Sequence, residues 1–183
     1  KLENLQTTNS FKMRGALNRM LRLSSGETSQ GIVAASAGNH AQAVAIAAER
    51  LHLSAKIVVP KTTPKVKTDK IRRHDVELIL YGDVYDEAEQ KAIEMAKRER
   101  LTYISPYNDS LVIAGQGTIG LEILEDLPEA EAILVPVGGG GLIAGIAAAV
   151  KGERDRVRVW GVQAAACPSA VEALRAGGPV AVE

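Results

Sequence analysis

Ile133-Leu134-Val135-Pro136-Val137-Gly138-Gly139-Gly140-Gly141-Leu142-Ile143-Ala144-Gly145-Ile146-Ala147-Ala148-Ala149-Val150 decides the reading of this chain. A short apolar run empties through four bare glycines into a stretch with helical composition. A buried strand followed at once by a helix is the unit of a parallel α/β sheet. Glycines at the junction expose backbone N–H groups at the positive end of the helix dipole, which is the construction of a phosphate cradle. Close strand–helix packing would also use glycine, but four in succession exceed what packing needs. The segment is 18 residues long and uncharged, near the length of a membrane span. Pro136 and the glycine run break it, so it reads as strand plus helix.

Two phosphate-binding motifs are excluded. A P-loop needs Lys followed by Ser or Thr after its last glycine, and Leu142-Ile143 stands there. A dinucleotide fingerprint needs a third glycine at position 143 or 144, which are Ile143 and Ala144. It also needs an acidic residue after the next strand, where Val157 to Val162 ends in Gln163.

Outward from the glycines, strands and helices alternate. Helical spacing marks Arg14 to Leu23, His40 to Leu51, Lys65 to His74, Asp83 to Arg100, Ala114 to Leu127 and Pro168 to Ala176. Apolar runs mark strands at Gly31 to Ala35, Ala55 to Val59, Val76 to Leu80, Tyr103-Ile104 and Val157 to Val162. Pro106-Tyr107-Asn108-Asp109 is the expected domain crossing. The charged helix at 83–100 reads as a solvated face. The stretch from Gly177 to Glu183 reads as the start of a further element, and the chain, which opens on Lys1, reads as cut at both ends.

Among the 183 residues, 22 Lys and Arg balance 22 Asp and Glu. That leaves no electrostatic footprint for nucleic acid or an anionic membrane. The one cysteine, Cys167, excludes a disulfide framework and a cysteine-based zinc site and suits a reducing cytoplasm. No signal or transit peptide is read.

Two further segments carry chemistry. In Ser10-Phe11-Lys12-Met13-Arg14-Gly15-Ala16, Lys12 falls at the first turn of a helix, beside an aromatic and near Arg14. Positive charge is disfavoured there, which lowers the amine's pKa and suits a nucleophile for a carbonyl. In Ser36-Ala37-Gly38-Asn39-His40, a strand end runs into a helix through small and polar residues. Such a turn serves either as a small-anion site or as helix capping by Ser36 or Asn39.

These segments, with Lys1-Leu2-Glu3-Asn4-Leu5-Gln6, Ala114-Gly115-Gln116-Gly117-Thr118-Ile119-Gly120-Leu121-Glu122 and Pro136 to Leu142, give the chain a resemblance along its whole length. It resembles the threonine and serine dehydratases (ammonia-lyases) of the fold-type II pyridoxal-phosphate enzymes, and is similar also to serine racemase. The resemblance implies two three-layer α/β domains with parallel twisted sheets, as in the tryptophan synthase beta fold, with the cofactor in the cleft between them. The larger domain would comprise 1–29 and 109–183, the smaller 30–108.

By the same resemblance, Lys12 is the catalytic lysine that forms a Schiff base with pyridoxal 5'-phosphate and then shuttles the α-proton. Phe11 packs against the cofactor ring, Asn39 bonds its phenolic oxygen, and Gly138, Gly139, Gly140, Gly141 and Leu142 bind its phosphate. Ser36, Ala37, Gly38, Asn39 and His40 hold the substrate carboxylate. The implied reaction is elimination of water from L-threonine or L-serine, giving a 2-keto acid and ammonia. Serine racemase, another β-eliminase, and a non-catalytic fragment that keeps the fold are the alternatives.

Two departures from the family pattern stand out. Thr8-Asn9-Ser10 replaces the usual Thr-Gly-Ser. Gln163-Ala164-Ala165-Ala166-Cys167-Pro168-Ser169 lacks the carboxylates of the metal-activated racemases, so no metal is expected there. The residue facing the pyridine nitrogen is expected beyond position 183, and a homo-oligomer is expected of the full-length protein.

Overall fold

The computed structural model describes residues 1–178 and 180. Of the further element expected from Gly177 to Glu183, positions 179 and 181–183 lie outside the described residues. Two compact units form, one of Leu2–Gly115 and one of Lys1 with Gln116–Glu183. The division falls inside one helix.

The first unit is built on β1 (Ile32–Ala35), β2 (Ala55–Val59), β3 (Glu77–Leu80) and β4 (Thr102–Tyr103). All neighbours are parallel, in the order β3-β2-β1-β4, with Ile32 opposite Ala55, Val59 opposite Leu80 and Val33 opposite Tyr103. Every residue of β1 is buried, as expected for a strand covered on both faces. Its period of two separates the covers. Ile32 and Ala34 pack with Met13, Ala16 and Met20 of α1 (Lys12–Met20) and the alanine-rich face of α3 (Asn39–Leu51). Val33 and Ala35 pack on the other side with Ala88, Ala92 and Met95 of α5 (Tyr85–Glu99). This is the three-layer arrangement expected from the sequence.

Two short helices complete the unit, α2 (Ser25–Gln30) and α4 (Lys65–Ile71). The sequence reading passed over α2, although it has a start signal. Ser24 accepts from the Glu27 N–H, and Glu27 reaches back to the Ser24 N–H.

α6 (Ser110–Asp126) begins four residues before the apolar pattern suggested. Asp109 accounts for this, because its Oδ1 accepts the N–H groups of Leu111 and Val112 at 2.8 and 3.0 Å. The expected crossing at 106–109 therefore ends in a helix cap.

A Cβ added at Gly115, in the first part of α6, would stand 2.6 Å from the Arg14 carbonyl and 2.7 Å from the Gly15 Cα. Both are backbone atoms that cannot swing aside. Gly115→Val is therefore expected to destabilise this unit by about 2 kcal/mol or more, read as a lowered urea midpoint at unchanged slope.

The second unit holds β5 (Ala132–Pro136), α7 (Gly141–Glu153), β6 (Arg158–Val162) and α8 (Ser169–Ala176) with the rest of α6. β5 and β6 are parallel, with Ala132 opposite Arg158 and Pro136 opposite Val162. The apolar 18-residue segment is thus divided between β5 and α7. Among the described residues no helix is long and apolar enough to cross a membrane. Small residues let α6 approach α7: a Cβ at Gly117 would meet the Gly145 carbonyl at 2.8 Å, and one at Gly120 the Val150 Cγ2 at 2.9 Å. Along β5, Ile133 and Val135 are buried while Leu134 is exposed, and its register partner Trp160 is exposed too.

Candidate active site

Strand order locates the site in the first unit. β2 and β3 add to one side of β1, and the chain then returns to place β4 on the other side. In open α/β sheets, ligands bind beyond the carboxyl ends of the strands where the order reverses. The β1 end leads into Ser36–His40 and the β4 end into Ile104, Ser105 and Pro106. The expected substrate turn therefore sits at the switch point.

Lys12 reaches the same place. It is the first residue of α1, with Phe11 as N-cap, and its Nζ donates to the Pro106 carbonyl at 2.6 Å. The ammonium lies 5.1 Å from the Phe11 ring centroid. Burial lowers the amine from its ordinary value to about 8, because a charged ammonium loses hydration there. Arg14 is not the cause: its guanidinium is engaged by Glu3 through Nε–Oε2 at 2.8 Å and Nη2–Oε1 at 2.9 Å. The turn before the lysine survives the asparagine. Asn9 adopts the left-handed region at φ 53°, which asparagine tolerates better than most residues, and the buried Thr8 and Ser10 hydroxyls lie 3.2 Å apart.

In the Ser36–His40 turn, Ser36 Oγ accepts the Gly38 N–H at 3.1 Å. Gly38 is the N-cap of α3 and supplies no side-chain bond. Capping by Ser36 or Asn39 is therefore not what this turn does. The first amides of α3 lack a side-chain cap, and Asn39 is exposed. Backbone donors at a helix start suit a carboxylate.

His40 differs from its neighbours. Its side chain is buried and its Nε2 lies 2.9 Å from the Ile104 carbonyl. A carbonyl only accepts, so Nε2 carries the proton. Burial lowers this histidine to about 4, with the nearby Lys12 charge acting in the same direction and the Ile104 bond opposing. Between pH 6.5 and 4 the unfolded chain binds the proton more readily, so stability falls as pH falls through that window. The contribution is of order 3 kcal/mol. In the cofactor-free protein, His40→Gln is expected to lose this part of the pH dependence, measured by urea unfolding at pH 7 and pH 4.5.

The glycine loop belongs to the second unit. Gly140 is the N-cap of α7 at φ +85°, with no side-chain cap, and Gly141 is the first helical residue. A Cβ at Gly138 or Gly140 would meet nothing within 4 Å. Protein packing therefore does not require glycine at either position. A side chain at either would enter open space, and the start of α7 carries no side-chain cap. That arrangement fits a phosphate dianion.

Gln163, at the end of β6, has a structural task. Its Oε1 accepts the Ala170 N–H at 3.0 Å and its Nε2 donates to Ser169 Oγ at 3.1 Å, which secures the start of α8. Among the described residues no group of three or more His, Cys, Asp or Glu side chains could hold a metal ion.

Sequence reasoning missed the Pro106 carbonyl and the His40–Ile104 link. Both join residues far apart in sequence, and no local pattern marks a backbone acceptor.

A family model described as pyridoxal-phosphate dependent enzyme matches residues 1–183, and the chain belongs to that family. It is 49% identical over 183 residues to the L-threonine ammonia-lyase of Thermotoga maritima, covering all of this chain and 46% of that protein. Among solved structures, it superimposes on threonine deaminase isoform 2 of Solanum lycopersicum with a TM-score of 0.94 at 46% identity, covering 98% of this chain and 50% of the other. Maize serine racemase gives the same TM-score at 33% identity, covering 100% and 55%. The chain thus spans about half the length of the relatives it matches, and its fold is that of the fold-type II pyridoxal-phosphate enzymes.

Proposed function

We propose that this member of the pyridoxal-phosphate-dependent family is the part of a threonine ammonia-lyase that carries its reactive lysine, acting on L-threonine or L-serine. The observation that carries the reading is Lys12: a half-buried amine, lowered to about 8, beside the switch point of a parallel sheet. The 49% identity to an L-threonine ammonia-lyase favours threonine over the racemase alternative.

Lys12 would bond the aldehyde of pyridoxal 5'-phosphate, Phe11 would cover its ring, and Asn39 would donate to its phenolic oxygen. Backbone amides of Gly138, Gly139, Gly140, Gly141 and Leu142 would hold the phosphate. When bound, the cofactor supplies an electron sink that acidifies the substrate Cα–H. Amides of the turn from Ser36 through Ala37, Gly38 and Asn39 to His40 orient the substrate carboxylate. The Lys12 amine, lowered to about 8 so that part of it is unprotonated near neutral pH, takes the Cα proton, and the β-hydroxyl departs with a proton as water. The net products are 2-oxobutanoate and ammonia from threonine, or pyruvate and ammonia from serine.

In the whole enzyme, 1–29 with 109–183 form the larger domain and 30–108 the smaller. Contacts between α1 and the start of α6 support this grouping: Asn18 Nδ2 donates to the Leu111 carbonyl at 2.6 Å, and Gly115 abuts Gly15. The enzyme is cytoplasmic, binds neither nucleic acid nor membrane, and assembles as a homo-oligomer.

Keto-acid assays of the full-length protein with L-threonine, L-serine and D-serine test the reading. It calls for 2-oxobutanoate from L-threonine at the highest kcat/KM. Conversion of L-serine to D-serine without keto acid from threonine would replace it with the racemase reading.

A further inference from the structure

Three consecutive residues leave the carboxyl end of β4 already anchored. Ile104 is fully buried and its carbonyl accepts from His40 Nε2. Ser105 is buried and its Oγ accepts the Asn108 N–H at 3.0 Å. The Pro106 carbonyl accepts from Lys12 Nζ at 2.6 Å. The carbonyl that His40 holds and the one that holds Lys12 are thus two residues apart on one strand exit.

Packing alone does not account for a histidine at 40. Its Nδ1, an acceptor in this tautomer, is buried and has no hydrogen-bond partner. An unpaired buried acceptor is costly, and an apolar side chain of similar volume would fill the space without that cost. What the imidazole adds is the Nε2–H directed at Ile104. Lysine, with a flexible four-carbon stem, has many alternatives to any one position, and fixing it requires a rigid acceptor.

We propose that the Pro106 carbonyl is the docking point of the Lys12 amine whenever that amine is not joined to the cofactor, and that His40 is the positioning residue that holds this carbonyl in place through Ile104. The inference rests on the reading of Lys12 as the cofactor-bonding lysine. Docking holds the free amine at one position on the strand exit rather than letting its four-carbon stem sample many.

The test uses the full-length protein stripped of cofactor, with carbonyl-labelled proline. Glutamine extends its amide nitrogen as far from the backbone as histidine's Nε2, whereas asparagine reaches only as far as Nδ1. Two quantities are read: the Pro106 carbonyl resonance, and the rate at which the visible cofactor band returns when pyridoxal phosphate is added. Lys12→Ala and His40→Asn are expected to move the resonance in the direction of a lost hydrogen bond, and His40→Gln to leave it in place. The band is expected to return about tenfold more slowly in His40→Asn and near the unsubstituted rate in His40→Gln.

A Pro106 resonance unchanged by Lys12→Ala overturns the docking point, and that comparison decides the matter if His40→Asn does not fold. Equal behaviour of the Gln and Asn variants overturns the role of His40. A visible band that persists in Lys12→Ala, with a Pro106 resonance that still responds, overturns the Lys12 reading and the proposed role with it, while leaving the contact itself standing.

Discussion

Lys12→Ala is expected to remove both the visible cofactor band and threonine turnover from the full-length protein, with kcat falling by about a thousandfold or more. One side chain is asked to perform two tasks, covalent attachment and proton transfer at Cα, and alanine performs neither. The fold is expected to survive. The amine pays a desolvation cost at this position, which is why it is lowered to about 8, and alanine removes that cost together with the bond to Pro106. The thermal midpoint of the cofactor-free variant should therefore match or exceed that of the unsubstituted protein. Loss of activity with a collapsed midpoint would instead mark Lys12 as structural.

Gly140→Ala is expected to weaken pyridoxal-phosphate binding by about ten- to a hundredfold, the equivalent of one lost charge-assisted hydrogen bond. At φ +85° an alanine is strained by about 1 kcal/mol, and its methyl group enters open space at the N-cap of α7. Gly138→Ala separates the two effects, because Gly138 lies outside the positive-φ region and also has open space around its Cβ position. That variant should lose affinity at nearly unchanged stability. Binding of pyridoxal, which lacks the phosphate, should be indifferent to both substitutions. Equal loss for pyridoxal and its phosphate would move the phosphate site elsewhere.

The elements were legible where one signal dominated. Strand β2 ends before Pro60 and helix α3 starts after Gly38, and their apolar periods are clean, so their limits were read to within a residue. α2 escaped because six polar residues have no apolar period, although Ser24 and Glu27 spelled out its start. The onset of α6 was missed because Asp109 was taken for part of a crossing, when its carboxylate caps the helix.

Lys12 and Asn39 in the first unit, and the glycines in the second, could be singled out from sequence because each stands in a local motif. The physical reason for the lowered lysine could not. The sequence suggested the helix start together with the neighbouring Arg14, but Glu3, in the 3-10 turn Glu3–Leu5, pairs with Arg14. Burial remains, and burial depends on what α3 and the 104–106 segment bring to the spot. His40 shows the same limit: it reads as a turn residue with its neighbours, yet its side chain points into the core.

The most direct test of the central claim is reductive trapping with borohydride of the full-length protein loaded with pyridoxal phosphate, followed by peptide mass mapping. The expected result is a single stable cofactor adduct on the peptide that contains Lys12. An adduct on any other lysine, or none while turnover of threonine is intact, would contradict it.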